Sequence, residues 1–165
     1  MIQAIETFFL ETVGREWCVF LCSMLPVIEL RGAIPLGAGL GLPLWQTFVI
    51  SVVGNLVPVP FILLAMNWLI GAMKHVKPLA RFAFKLEEKV EKNRGKIERY
   101  AFWGLVLFVA IPLPGTGAWT GSLVASVTGM KFWRSVISVT VGVLIAAVIM
   151  SAASYGVVAA FKFLV

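Results

Sequence analysis

Glu29 and Arg31 are the charges set deepest in the apolar parts of this sequence, within Pro26-Val27-Ile28-Glu29-Leu30-Arg31-Gly32-Ala33-Ile34-Pro35. By insertion scales a charged side chain costs about 2.5 to 3.5 kcal/mol at a bilayer centre, so such residues are functional candidates by default. Their i,i+2 spacing keeps the side chains apart on a regular helix, whereas an irregular tip lets them meet. One reading is a buried pair that fixes the local shape and does nothing else. The other is a carboxyl in a dry cavity that takes up and releases protons, with Arg31 tuning its proton affinity and Pro35, at the end of the tip, among the candidate site residues.

A second candidate tip is Pro112-Leu113-Pro114-Gly115-Thr116-Gly117-Ala118-Trp119-Thr120-Gly121. It is uncharged, with two hydroxyls one turn apart, an indole and three glycines. Pro114 before Gly115-Thr116 suits a helix N-terminus whose N–H groups point at a cavity, an end that favours an anion or the Glu29 carboxylate. The alternative is capping by Thr116 with close packing at Gly117 and Gly121. Trp119 and Thr120 serve either packing or substrate contact. Gly54-Asn55 precedes Val57-Pro58-Val59-Pro60, where two prolines interrupt a helical ladder and predict a kink. Asn55 then caps the freed carbonyls or reaches the cavity; Asn67 is expected to pack. Cys18 and Cys22 sit one turn apart, but no histidine stands near to complete a metal site, since His75 is the only one; buried free thiols are expected. No nucleophile triad, metal cluster or phosphate loop is visible, so neither an enzyme nor a cofactor is expected.

The elements that position these residues belong in a membrane. Apolar residues make up 60% of the chain and charged ones 13%, against about 25% charged in an ordinary globular domain. Leu44 to Met73 and Phe132 to Leu164 are long apolar blocks, and about 20 such residues span the hydrocarbon layer as a helix. Nine of the 14 basic residues (Lys74, Lys77, Arg81, Lys85, Lys89, Lys92, Arg94, Lys96, Arg99) lie between these blocks, mixed with Glu87, Glu88, Glu91 and Glu98. That pattern predicts an amphipathic cytoplasmic connector over about 74–100, with Phe82 and Phe84 on its apolar side. Anionic lipid headgroups suit it; a nucleic-acid partner is not expected. The N-terminal stretch carries Glu6, Glu11 and Glu16 and reads as part of the mature chain, not as a signal peptide.

An internal repeat organises the whole as one membrane domain. Gly41-Leu42-Pro43-Leu44-Trp45 is echoed by Gly129-Met130-Lys131-Phe132-Trp133, 88 positions on, and Pro26/Pro114, Gly54/Gly142 and Leu56/Leu144 share the offset without gaps. Each copy (about 17–73 and about 101–165) has an apolar arm (Trp17 to Leu25; Ala101 to Ile111), a proline-rich break, a second arm (Arg31 to Leu40; Gly117 to Thr128) and a long helix. Arms of about ten residues rise only about 15 Å, half the hydrocarbon thickness. Each pair therefore reads as a re-entrant hairpin followed by one crossing. Odd parity inverts the second copy. Lys131 and Arg134 then fall in the cytoplasm and both termini outside. The expected fold is all-α, two inverted repeats with tips facing across a cavity, as in many transporters.

Three segments, Pro26 to Gly37, Gly54 to Phe61 and Ile111 to Gly121, resemble the putative small multidrug export protein family over nearly the whole chain. That family is distantly similar to the DedA superfamily, whose re-entrant hairpins and undecaprenyl phosphate transport the resemblance brings with it. DedA proteins carry arginines around the second tip; here none lies between Tyr100 and Lys131, leaving Arg31 and backbone N–H groups for an anionic headgroup. The expected function is a small secondary transporter or exporter of the inner membrane, proton-coupled through Glu29. A lipophilic cation as substrate would suit Glu29 and Trp119. The alternatives are a carrier of lipid-linked phosphate and a non-transporting scaffold. Membrane lipids and a second copy, as a homodimer, are the expected partners.

Overall fold

The computed structural model describes residues 14–73, 85, 88, 92, 94–113 and 115–164. These form α1 (Gly14–Met24), α2 (Glu29–Gly39), α3 (Leu44–Leu56), α4 (Pro58–Met73), α5 (Arg94–Ala110), α6 (Ala118–Val127) and α7 (Phe132–Leu164), with no strand among the described residues. Leu44–Ile70 and Phe132–Ala160 are long and apolar enough to cross a membrane. Most of the predicted connector, including His75, Phe82 and Phe84, lies outside the described residues; Lys85, Glu88 and Lys92 are helical and exposed.

The chain divides into two compact units, one running to Val57 and resuming at Val143, the other Pro58–Gly142. The first holds α1, α2, α3 and the later part of α7. There α1, α2 and α3 pack on one another, around Val19, Ala33 and Leu42. The second holds α4, α5, α6 and the start of α7, with α6 packed on both α4 and α5. Each unit thus contains one hairpin and the first part of the long span that follows it.

Equivalent turns join hairpin to span. After α2 the chain reverses at Gly41 (φ 75°), and after α6 at Gly129 (φ 68°), a left-handed conformation glycine adopts without a Cβ clash. Leu42 N–H donates to Gly37 O and Gly41 N–H to Ala38 O; 88 residues on, Met130 N–H donates to Ala125 O and Gly129 N–H to Ser126 O. The following helices start alike, Thr47 N–H to Pro43 O and Ser135 N–H to Lys131 O. Glycines also set the helix crossings. A Cβ on Gly54 would meet Ser23 Oγ and the Phe20 carbonyl, and one on Gly142 would meet Val109 and, at 2.9 Å, the Val106 carbonyl. Those contacts on the first arms are 86 residues apart, as are the ends of α1 and α5. The copies are therefore not gap-free: the loop between α5 and α6 is longer than that between α1 and α2.

The predicted kink is a missing rung. Val57 keeps helical dihedrals (φ −53°, ψ −48°) and its N–H reaches Val53 O, but Pro58 has no N–H for the Gly54 carbonyl.

Candidate functional site

In the first unit the irregular tip is shorter than its prolines suggest. Only Leu25 to Ile28 separate α1 from α2, so Glu29 and Arg31 occupy the first turn of a helix instead of an open loop. They meet nonetheless. Glu29 is the sole non-glycine residue with positive φ among the described residues (49°), and this turns its carboxylate back to accept from Arg31 Nη1 at 2.8 Å. A side chain in that conformation costs roughly 1–2 kcal/mol. The Glu29 residue is 4% exposed. Pro35 is displaced from the predicted site: it lies inside α2, is exposed, and its ring removes the donor for the Arg31 carbonyl.

The packing of α2 on α3 fixes the depth of this pair. A Cβ on Gly37 would strike the Thr47 side chain, and the two helices run in opposite directions out of the Gly41 turn. Four residues per step then bring Ala33 level with Ser51, and Glu29 level with Asn55. The hairpin tip thus ends at the level of the proline break. Asn55 is fully buried, and neither its Oδ1 nor its Nδ2 has a hydrogen-bond partner among the described residues. Capping of the freed carbonyls is therefore not its role.

The second tip is closed by its own groups. Thr116 Oγ1 lies 2.8 Å from the Ile111 carbonyl oxygen and 2.9 Å from that of Leu113, donating back into the loop. It does not cap α6, whose N-cap is Gly117 with no side-chain cap. Gly115 has φ 81° and is exposed; Trp119 and Thr120 are half-buried. Gly121 lets α6 approach Val109, where a Cβ would come within 2.5 Å, which bears out close packing there. Pro114 lies outside the described residues. Cys18 and Cys22 are free and half-buried, not fully buried as expected.

Residues 29–149 match the family described as putative small multi-drug export protein. The chain belongs to this family. The match begins at Glu29 and covers the Glu29–Arg31 pair, the second tip, the proline break, the first long span and the first part of the second, but not α1 or the end of α7. With two spans apolar enough to cross, this export-family chain is a membrane protein. No curated protein and no solved structure gives a significant match.

Sequence reasoning missed three residues of the first unit. Ser51 and Ser151 are buried hydroxyls without partners among the described residues. The Tyr155 hydroxyl donates to the Leu42 carbonyl (2.8 Å) and pairs with Thr47 Oγ1 (2.7 Å). The i,i+4,i+8 spacing of Thr47, Ser51 and Asn55 was the signal available. Two apolar grooves, about 260 Å³ beside Glu16, Trp17, Phe20 and Ile50 and about 250 Å³ beside Leu105, Phe108 and Thr128, contain none of the predicted site residues.

Proposed function

We propose that this protein is a small secondary exporter of the inner membrane, driven by protons that Glu29 takes up and releases. The observation that carries this reading is the buried Glu29 itself, held in a costly backbone conformation against Arg31 at a hairpin tip. Well-packed apolar residues in place of a buried ion pair are often neutral or stabilising. A pair that served shape alone would therefore bring little benefit in exchange for its desolvation. A carboxyl facing a guanidinium can instead release the arginine to a substrate, or exchange its own charge, when it binds a proton.

In this reading both hairpins are re-entrant and the second repeat is inverted, with the basic connector cytoplasmic and both termini outside. Arm length supports it: α1 has 11 residues and α6 has 10, about 15 Å each, half a hydrocarbon layer. So do the tryptophans. Trp17 and Trp45 stand exposed at the open end of the first hairpin, and Trp103 and Trp133 at that of the second, as interfacial anchors do. The protein acts without cofactor or enzymatic turnover on a lipophilic cation, as a homodimer surrounded by lipid. Carriage of a lipid-linked phosphate is the weaker reading, because Glu29 occupies Nη1 of the one arginine at either tip.

The test is intravesicular pH in proteoliposomes of the purified protein, with lipophilic cations added outside under an imposed pH gradient. Wild type should move protons when substrate is added and Glu29→Gln should be silent while remaining folded. Silence in both, with folding verified, sinks drug–proton exchange for the compounds used and favours the lipid-phosphate carrier. A Glu29→Gln protein that fails to fold supports the scaffold reading.

A further inference from the structure

We infer that the first unit contains a file of bound water running from the membrane face at the hairpin's open end down to the level of Glu29, and that its walls are Thr47, Ser51 and Asn55 of α3 with Ser151 and Tyr155 of α7. Its use in delivering protons to Glu29 rests on the function proposed above; its water content does not.

Thr47, Ser51 and Asn55 stand on one face of α3, and all three are fully buried. Two of them present three atoms with no partner: Ser51 Oγ, Asn55 Oδ1 and Asn55 Nδ2. The opposite wall comes from α7. Tyr155 meets Thr47 at 2.7 Å, and from there the buried positions on α7 descend through Ser151 and Ala147 to Val143, while those on α3 ascend from Thr47 to Asn55. Ser151 lies one turn before Tyr155, on the same side of α7. Ser151 Oγ is buried and without a partner too. Three such atoms thus belong to this one face of α3, and a fourth, Ser151 Oγ, to the part of α7 that meets it through Tyr155.

Water is the ligand whose chemistry fits. The wall offers hydroxyls and one amide, which both donate and accept, and no carboxylate along its length to select a metal cation. Successive groups four residues apart are separated by a rise of about 6 Å. That is two hydrogen bonds of about 2.8 Å with one water between them. Buried polar atoms without protein partners are the places where internal water binds, each water making two to four bonds. Along such a file each water accepts a proton on one side and releases one on the other, with no net bond made. The second repeat lacks it: Val139 and Val143 stand where the first has Ser51 and Asn55, Ser135 Oγ bonds the Lys131 carbonyl, and among the described residues of that unit Ser138 alone has a buried hydroxyl without a partner.

The test is thiol labelling of the full-length protein in proteoliposomes with 2-aminoethyl methanethiosulfonate, which reacts with a thiolate and so needs water at the sulfur. In a Cys18→Ala/Cys22→Ala background, Ser51→Cys and Asn55→Cys should label about tenfold or more faster than Val139→Cys and Val143→Cys. Equal rates, or rates as slow at 51 and 55 as at 139 and 143, overturn the file. Having two positions keeps the comparison decisive if either variant fails to fold. A separate readout is proton uptake by Ser51→Val/Asn55→Val, which copies the second repeat into the first and should slow uptake severalfold. Fast labelling in a protein that moves no protons even as wild type retains the file and removes the exporter.

Discussion

The two hairpins share a scaffold and differ in what it holds. Their exit turns have the same hydrogen bonds 88 residues apart, and their first arms cross the following span at a glycine in each unit. Yet the first tip carries a buried ion pair on a strained residue, whereas the second carries no charge and, among its described residues, no strained side chain, and is closed by Thr116 on its own loop carbonyls. Turn and crossing geometry is what a hairpin needs in order to fold. The buried polar face of α3 differs in the same way, with valines at the corresponding places in α7. The buried polar groups are thus distributed unequally over a frame that both halves share.

The largest effect should come from breaking that asymmetry at Glu29. Glu29→Gln should bring substrate-dependent proton movement down to the protein-free background; the protein stays folded because the amide still accepts from Arg31, although a guanidinium left without its counter-charge lowers the thermal unfolding midpoint in detergent. Retained coupling would falsify the assignment of Glu29 as the proton carrier. Glu29→Gly separates charge from strain: it too should be silent, but should recover part of the roughly 1–2 kcal/mol held in the positive φ, provided the loss of the ion pair does not outweigh it.

The shared frame predicts matched losses. Gly54→Ala and Gly142→Ala each force a methyl against a backbone carbonyl, at 2.7 Å from Phe20 O and 2.9 Å from Val106 O. Overpacking of this kind costs about 1–3 kcal/mol, and the two unfolding shifts should be of similar size. Gly41→Ala and Gly129→Ala meet φ values of 75° and 68°, each costing roughly 1–2 kcal/mol. A large shift in one member of a pair and none in the other would show that the copies do not carry equivalent stresses.

Much of this frame was legible from residue types. Gly41 and Gly129, each just before a proline or lysine and a tryptophan, announced both turns because few residues but glycine accept that backbone. The interruption of the first long span followed from Pro58 and Pro60. The site was less legible. The tip was expected to be irregular up to the start of the second arm at Arg31, but α2 already begins at Glu29 and tolerates Pro35, and a single positive φ at Glu29 restores a pairing that helical spacing denies. Ser51 and Ser151 were passed over because a lone serine in an apolar helix usually returns its hydroxyl to the preceding turn, as Ser122 and Ser126 do here. Only the partnerless state of the atoms distinguishes the two uses, and that is a property of packing.

The smallest predicted effect sharpens the contrast between the tips. Thr116 donates one hydroxyl proton between two carbonyls, 2.8 and 2.9 Å away, in an exposed loop. Removing a hydrogen bond of this kind costs about 1 kcal/mol, so Thr116→Val should lower the unfolding midpoint by a few degrees for a chain of this size. Thr116→Ser keeps the donor and should restore most of the loss. If Val and Ser variants are equally stable, the hydroxyl is not what closes the second tip. If Ser restores stability but substrate-dependent proton movement remains impaired, the missing methyl matters to the ligand, and the second tip has a part in binding beyond holding its own shape.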